Sequence, residues 1–233
     1  MKLLTTNNAK IIKGEKKGYM TFGLHLAPST LSGFNTCSCA SNGCKAACLN
    51  TAGRGFYSKV QNARIKKTLL FFQEREAFMA TLFKEIGLAV NQAVRKGAIP
   101  CFRLNLTSDM PWECIKWQGQ SPMQAFPKAI FYDYTKSPQR MTRFLTGDFP
   151  KNYNLCFSRS ESNGVLCPPF LRSKGNVAIV FRGSLPAKWR GFKVINGDID
   201  DLRFLDRKGS VVGLKQKGRA RKDLTGFVLE GGV

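Results

Sequence analysis

Apolar residues in this chain fall into two kinds of run. From Ser58 to Lys96 they recur at helical spacing: Phe78, Leu82, Ile86, Val90 and Val94 stand four apart, and Gly97 follows as a stop. The stretch 58–96 is long enough for two helices and predicts a break between Phe71 and Glu74. Elsewhere the apolar residues cluster in short runs, each ending in a polar group: 19–27 (YMTFGLHLA), 99–109 (IPCFRLNLTSD), 129–136 (AIFYDYTK), 153–161 (YNLCFSRSE), 176–183 (NVAIVFRG), 192–198 (FKVINGD) and 209–218 (GSVVGLKQKG). Short helices are predicted between several of these, at 138–147 and 161–173. Near-continuous apolar strands alternating with helices describe an α/β fold whose mostly parallel sheet is buried on both faces. The irregular spacing of the last three runs favours an incomplete (β/α) barrel over a closed eightfold one.

No repeat or low-complexity linker interrupts the 233 residues, so one domain spanning 1–233 is expected. It divides into a first strand (19–27), a cysteine loop (34–55), a helical region (58–96), alternating strands and helices (99–218) and a basic C-terminal segment (219–233). In parallel α/β folds ligands bind where the carboxyl ends of the strands leave the sheet. Those exits are polar here, and they supply the candidate catalytic residues Asn105, Asp109, Asp133, Lys136, Glu161 and Asp198. Glu113 and Asp201 lie at or beyond exits as well. Residues of these types also cap helices and form turns, and structural pairing with the many arginines, such as Asp201 with Arg203, is the commoner use of such carboxylates. No Ser-His-Asp arrangement, Walker loop or paired-carboxylate nuclease signature is present, which disfavours ordinary hydrolases and NTPases.

Charge changes the picture next. Lys and Arg number 37 against 15 Asp and Glu, a formal net charge of +22 spread along the whole chain. A surface of that sign attracts polyanions by counterion release, so nucleic acid, DNA or RNA, is the expected partner. No apolar run is long enough to span a membrane and no signal-peptide pattern opens the chain, so no membrane association is expected. Oligomeric state leaves no trace in the sequence. The residues expected to meet nucleic acid or a nucleotide are Arg54, Lys59, Arg64, Lys66 and Lys67 behind the cysteine loop, Arg159 and Arg182 at strand exits, and Lys215, Lys217, Arg219 and Arg221 after the last strand. Phe56 and Tyr57, set among the first group, are suited to stacking on a base.

The chemistry concentrates at Cys37, Cys39, Cys44 and Cys48, spaced C-x-C-x4-C-x3-C. Crowded thiols in a glycine-containing loop of an intracellular chain point to metal. The C-x2-C pairs of zinc ribbons are absent, and the single histidine, His25, falls on the first strand, so a Cys2His2 site is excluded. An iron–sulfur cluster, taking one thiolate per iron, suits these wider intervals, with [4Fe-4S] the expected form and zinc the alternative. Spacing alone leaves Cys39 open as a fourth ligand. The remaining cysteines are scattered, two of them within strand-like runs.

The segments LSGFNTCSCASNGCKAACLNTAGRG, RIKKTLLFF, RLNLTSDMPWE, FYDYTK, FSRSE and GDIDDLRFLDRKGSVVGLKQKGRAR, in this order from about Met20 to Phe227, closely resemble the phage gene product 88 family. The resemblance implies a bacteriophage protein at work in the cytoplasm of the infected bacterial host. In the family's pattern the positions of Cys37, Cys44 and Cys48 are cysteines, whereas that of Cys39 often is not, which implies a three-thiolate core. More distantly, a first strand, a cysteine loop and a (β/α) succession look like the radical S-adenosylmethionine proteins, implying their barrel and S-adenosylmethionine as a further cofactor. Their C-x3-C-x2-C spacing and Gly-Gly-Glu motif are absent; NLTSDMPWE stands in the latter's place. The expected function is an iron–sulfur protein with a basic rim that engages nucleic acid or a nucleotide, with cluster-dependent radical or redox chemistry. The alternatives are a non-catalytic nucleic-acid-binding protein whose metal fixes the loop, and a protein that engages an acidic host partner.

Overall fold

The structure, a computed structural model, describes residues 1–8 and 11–232. Its strands are β1 (Leu4–Thr5), β2 (Tyr19–Leu24), β3 (Ile99–Arg103), β4 (Ile130–Thr135), β5 (Tyr153–Ser158), β6 (Asn176–Arg182), β7 (Lys188–Trp189), β8 (Phe192–Asn196), β9 (Val211–Lys215) and β10 (Val228–Glu230). The α-helices are α1 (Asn42–Ala46), α2 (Ser58–Gln73), α3 (Arg75–Arg95), α4 (Pro122–Ala125), α5 (Pro138–Leu145) and α6 (Cys167–Arg172). All seven expected strands form, and the α2–α3 break falls at Glu74, inside the expected interval.

The strands make one sheet in the order β1-β2-β3-β4-β5-β6-β9-β8-β7. Strands β2 to β6, β9 and β8 run parallel; the two-residue strands β1 and β7 pair antiparallel to β2 and β8. The sheet is open, and among the described residues its edges β1 and β7 do not pair. The last strand, β10, has a particular place. It pairs parallel with Val180–Arg182 of β6, whereas β5 pairs with Asn176–Ala178 of the same strand. Because β9 already occupies the other side of Val180 and Phe181, β10 takes up the edge of β6 where β5 ends. The C-terminal segment is thereby carried to the end of the sheet where the parallel strands exit.

One face of the sheet packs on helices. Phe22, Phe102 and Phe131 stack across β2, β3 and β4, with centroids 5.5 and 5.1 Å apart, and meet Phe71, Phe78, Leu82 and Ile86 in a single buried core. The evenly spaced helical stripe is buried only in part. Phe78, Leu82 and Ile86 are inaccessible, but Val94 is 63% exposed. Each step of four residues overshoots a full turn by about 40°, so the stripe rotates out of the core and Ala89 and Ala93 replace it there.

The opposite face carries Arg103, Tyr132 and Tyr134 and is covered by residues 200–206. Phe204 packs edge-on against Tyr19 and Tyr132, at 5.2 and 5.5 Å. Arg103 donates to the Asp201 carboxylate at 2.6 Å, and its guanidinium lies 4.6 Å from the Tyr134 ring. This corrects the expected pairing of Asp201 with Arg203. The Arg203 side chain is ion-paired with Asp200 and Asp206 at 3.3 and 3.2 Å, and its backbone N–H donates to the Asp201 carbonyl.

Candidate functional site

Strand β2 ends at Leu24, so His25 stands one residue past the strand rather than on it. The chain then runs over the strand exits as the cysteine segment before entering α2. Thr36 anchors its start: the hydroxyl donates to the Ala27 carbonyl at 2.6 Å, and the Thr36 carbonyl accepts the Asp109 N–H at 2.8 Å, beyond β3. The thiol of Cys37 lies 3.9 Å from the Thr107 carbonyl on the same exit. What the sequence presents as loop contains a short helix, α1, with Cys44 in it. Ser41 caps α1, its hydroxyl oxygen accepting the Cys44 N–H at 3.2 Å.

The cap is itself held from across the sheet. Glu161, past β5, accepts the Ser41 hydroxyl at 2.8 Å and the Gly43 N–H at 2.7 Å. Gly43 has no room for a side chain, because Thr225, Glu161 and Phe227 crowd its Cα. The segment leading into β10 therefore closes over α1, and Cys44 packs against a small apolar cluster of Ala47, Ala220, Phe227 and Val228. Further on, the Cys48 sulfur accepts the Asn50 N–H at 3.5 Å, and the Asn50 side-chain carbonyl receives Arg64 from α2.

Three of the four thiols share one electrostatic neighbourhood. Burial pushes the Cys37 thiol above its ordinary range, and Asp109 and Cys44 push it further. The Cys48 thiol is raised by burial and by the nearness of Cys44 and Cys37, with Arg64 pulling the other way. Cys39 enters neither relationship; its sulfur lies 3.9 Å from the Ser38 hydroxyl. All eight cysteines are free, and among the described residues no group of three or more His, Cys, Asp or Glu is gathered closely enough to hold a single metal ion.

His25 borders this group through Thr107. The Thr107 hydroxyl gives its one proton to the Leu26 carbonyl at 2.6 Å, so the 3.2 Å contact between Thr107 Oγ1 and His25 Nδ1 requires the proton on the histidine. The tautomer is fixed and Nε2 keeps a bare lone pair. Burial, then Arg64, Arg103 and Lys67, lower the His25 pKa to about 3, so the ring is neutral at physiological pH.

Most sequence-predicted catalytic residues are engaged within the fold. Asn105 is buried, donates its N–H to Asp133 at 2.8 Å, and accepts Ser108, the Met110 N–H and Trp112 on its side-chain oxygen. Asp133 also accepts the Tyr153 hydroxyl at 3.0 Å, and burial raises its pKa to about 7. Asp109 takes the Lys136 N–H at 2.8 Å and Arg140 at 2.6 Å; Arg140 also binds Glu113 through two 2.8 Å bonds. Asp198 accepts the Lys215 N–H and the Lys217 ammonium. Lys136, half-buried, donates its ammonium to the Ser158 hydroxyl at 2.6 Å and lies 5.4 Å from the Phe227 ring, with no acidic partner among the described residues. Arg140, which ties Asp109 and Glu113 beyond β3 to Thr135 at the end of β4, has no motif in the sequence; its only mark is a position in the first turn of α5, behind the Ser137 cap and Pro138.

The predicted basic residues divide in two. Lys67 is spent on the Leu3 carbonyl, Arg64 on Asn50, Arg159 on the Gly226 and Phe227 carbonyls, Arg182 on Glu230 and on carbonyls of the C-terminal turn, and Lys217 on Asp198. Arg54, Lys59, Lys66, Lys215, Arg219 and Arg221 are exposed, with no acidic partner among the described residues. The two ends of the basic set approach: Gly218, at φ +55°, lies against Ala52, so the turn Gly218–Lys222 abuts the chain immediately ahead of the turn Gly53–Phe56.

A family model described as Gene product 88 matches residues 2–231, from ahead of β1 through β10. The chain belongs to the phage gene product 88 family. The match takes in the cysteine segment, Glu161 and the C-terminal segment that closes over α1, so the whole site lies within the family's extent. Comparison with curated proteins and with solved structures returned no match. No helix among the described residues is long and apolar enough to cross a membrane.

Proposed function

We propose that this gene product 88 chain is an iron–sulfur protein whose cluster, [4Fe-4S], is held by Cys37, Cys44 and Cys48 at the strand exits, beside a basic rim that engages nucleic acid or a nucleotide. The observation that carries the reading is the anchoring of all three within one segment: Cys37 against the Thr107 carbonyl, Cys44 in the Ser41-capped α1 and Cys48 at the Asn50 N–H. A lone tetrahedral ion with bonds of about 2.3 Å needs its sulfurs within roughly 4 Å of one another. A cluster takes one thiolate per iron and sets its ligands farther apart than a single ion does. Three thiolates leave one iron able to take an exogenous ligand, and a cluster of this kind supplies electron transfer or Lewis-acid chemistry when bound.

The chain's own residues prepare the place. Arg64 sets a positive charge beside Cys48, which favours the thiolate form that ligation needs. Glu161 and the segment 223–227 fix α1 and so the direction of Cys44. His25 offers a neutral acceptor nearby. S-adenosylmethionine is the candidate ligand for the open position, in keeping with the likeness to radical S-adenosylmethionine barrels. The reading places the protein in the reducing cytoplasm of the bacterial host, where such thiols stay free.

Anaerobic purification with iron and sulfide analysis tests it. A brown protein is expected, with colour lost in Cys37→Ala, Cys44→Ala and Cys48→Ala and kept in Cys39→Ala. A colourless, zinc-loaded wild type would sink the cluster. An unchanged EPR signal after adding S-adenosylmethionine to the reduced protein would remove that ligand.

A further inference from the structure

Two aromatic rings stand out on the surface a few residues beyond Cys48 in the chain. Phe56 and Tyr57 are 65% and 64% exposed, although rings of their size are buried at most other aromatic positions of the core. They sit in adjacent positions where the turn Gly53–Phe56 passes into α2. This turn is rigidly placed: Gly55 lies against the backbone carbonyl of Asn50 with no room for a side chain, and Gln61 donates to the Gly55 carbonyl at 3.1 Å. Arg54 and Lys59 flank the rings, and Arg219 and Arg221 stand on the abutting turn, all exposed and none paired with an acid among the described residues.

We infer that this rim binds single-stranded nucleic acid, with unstacked bases laid on Phe56 and Tyr57 and the phosphates between the two basic turns. The inference rests on the nucleic-acid reading above and narrows it. Cations alone attract any polyanion, duplex included. Rings projecting from a turn gain nothing from a duplex, whose bases already stack on one another, but an open strand offers a π-face at every base. A duplex reader would instead present an element shaped to enter a groove. No such element joins these cations: they lie on two short turns and on the first turns of α2.

Fluorescence anisotropy on the full chain decides the matter, using labelled oligothymidylate, oligouridylate and a DNA duplex of equal length over a range of salt. Either single strand should bind more tightly than the duplex, and the two arms assign DNA or RNA. The double variant Phe56→Ala, Tyr57→Ala should weaken single-strand binding by roughly ten-fold for each ring engaged and leave the salt slope unchanged. Arg54→Ala with Lys59→Ala should lower that slope by about 0.7 for each phosphate no longer neutralised. All four side chains are exposed, so folding is not at stake. Duplex binding as tight as single-strand binding, or an aromatic variant that binds like wild type, would overturn the inference. Failure to bind any of the three at low salt would overturn the nucleic-acid reading itself.

Discussion

Glu161 holds Gly43 across the exits of the sheet, its carboxylate accepting the Gly43 N–H at 2.7 Å while the other oxygen takes the Ser41 hydroxyl at 2.8 Å. Burial alone would raise the Glu161 pKa, but these hydrogen bonds outweigh it and leave the group below its ordinary value. The contribution to stability is therefore present above the ordinary carboxylate range and fades as pH falls through the folded pKa. Glu161→Gln replaces one acceptor with a donor and should cost about 1.5 kcal/mol, a charge-assisted bond's worth. Alkylation of Cys44 should speed up in this variant while that of Cys114, remote from the clamp, stays constant. Equal rates at Cys44 in both proteins would remove Glu161 from the role.

His25 and Asp133 should oppose one another in pH dependence. The His25 pKa falls from 6.5 to about 3 on folding, so the unfolded chain binds more protons between these values and stability rises with pH. The Asp133 pKa climbs from 3.8 to about 7, so there the folded chain binds more protons and stability falls with pH. Each slope amounts to about 1.4 kcal/mol per pH unit where it is fully developed. In urea titrations from pH 4 to 6.5, His25→Gln should lose stability relative to wild type as pH rises, and Asp133→Asn should gain it. Parallel profiles for all three proteins would contradict both assignments. His25 is the chain's one histidine, so its NMR signals also report directly on the Nδ1–H tautomer.

Gly43 leaves space that Thr225 and Phe227 fill. Gly43→Val should cost about 1–3 kcal/mol through overpacking and detach the C-terminal segment from α1. Limited proteolysis would then cut between Asp223 and Gly226 in the variant well before the wild type. Unaltered cleavage would show that the segment is held by β10 alone.

Arg140 neutralises two carboxylates at once, Asp109 at 2.6 Å and Glu113 at 2.8 Å, with side chains only 13% and 2% exposed. Arg140→Met leaves both without their cation and should destabilise by about 3–5 kcal/mol in chemical denaturation. Arg140→Lys should recover only part of this, since an ammonium cannot reproduce the fork that grips Glu113 through two bonds. Full recovery by lysine would mean that charge alone matters.

The parallel strands were legible in the sequence because each is a short, mostly apolar run closed by a polar exit. Leu4–Thr5, Lys188–Trp189 and Val228–Glu230 were not, since two or three residues carry no period. The crowding of four cysteines into one segment was legible, but its meeting with the C-terminal turn was not, because β10 brings that turn there by pairing with β6. The segment's supports were not legible either. Glu161, Thr225 and Phe227 reach Gly43 from far along the chain, and nothing local marks a glutamate or a phenylalanine as a clamp. The sorting of the cations was equally hidden, because whether an arginine faces water or a carbonyl is decided by the tertiary fold. Arg182 and Arg54 look alike until Glu230 and the C-terminal turn arrive beside the first.

The position of β10 has a consequence for biosynthesis. The four clustered thiols emerge from the ribosome long before Thr225, Phe227 and the strand that seats them beside β6. During translation the nascent cysteine segment has Ser41 to shape α1 but lacks the wall that fixes its packing. The cysteine segment stays accessible throughout that interval and is closed over only when residues 223–230 arrive. Premature termination before β10 would thus yield a chain with every thiol present and the enclosure missing.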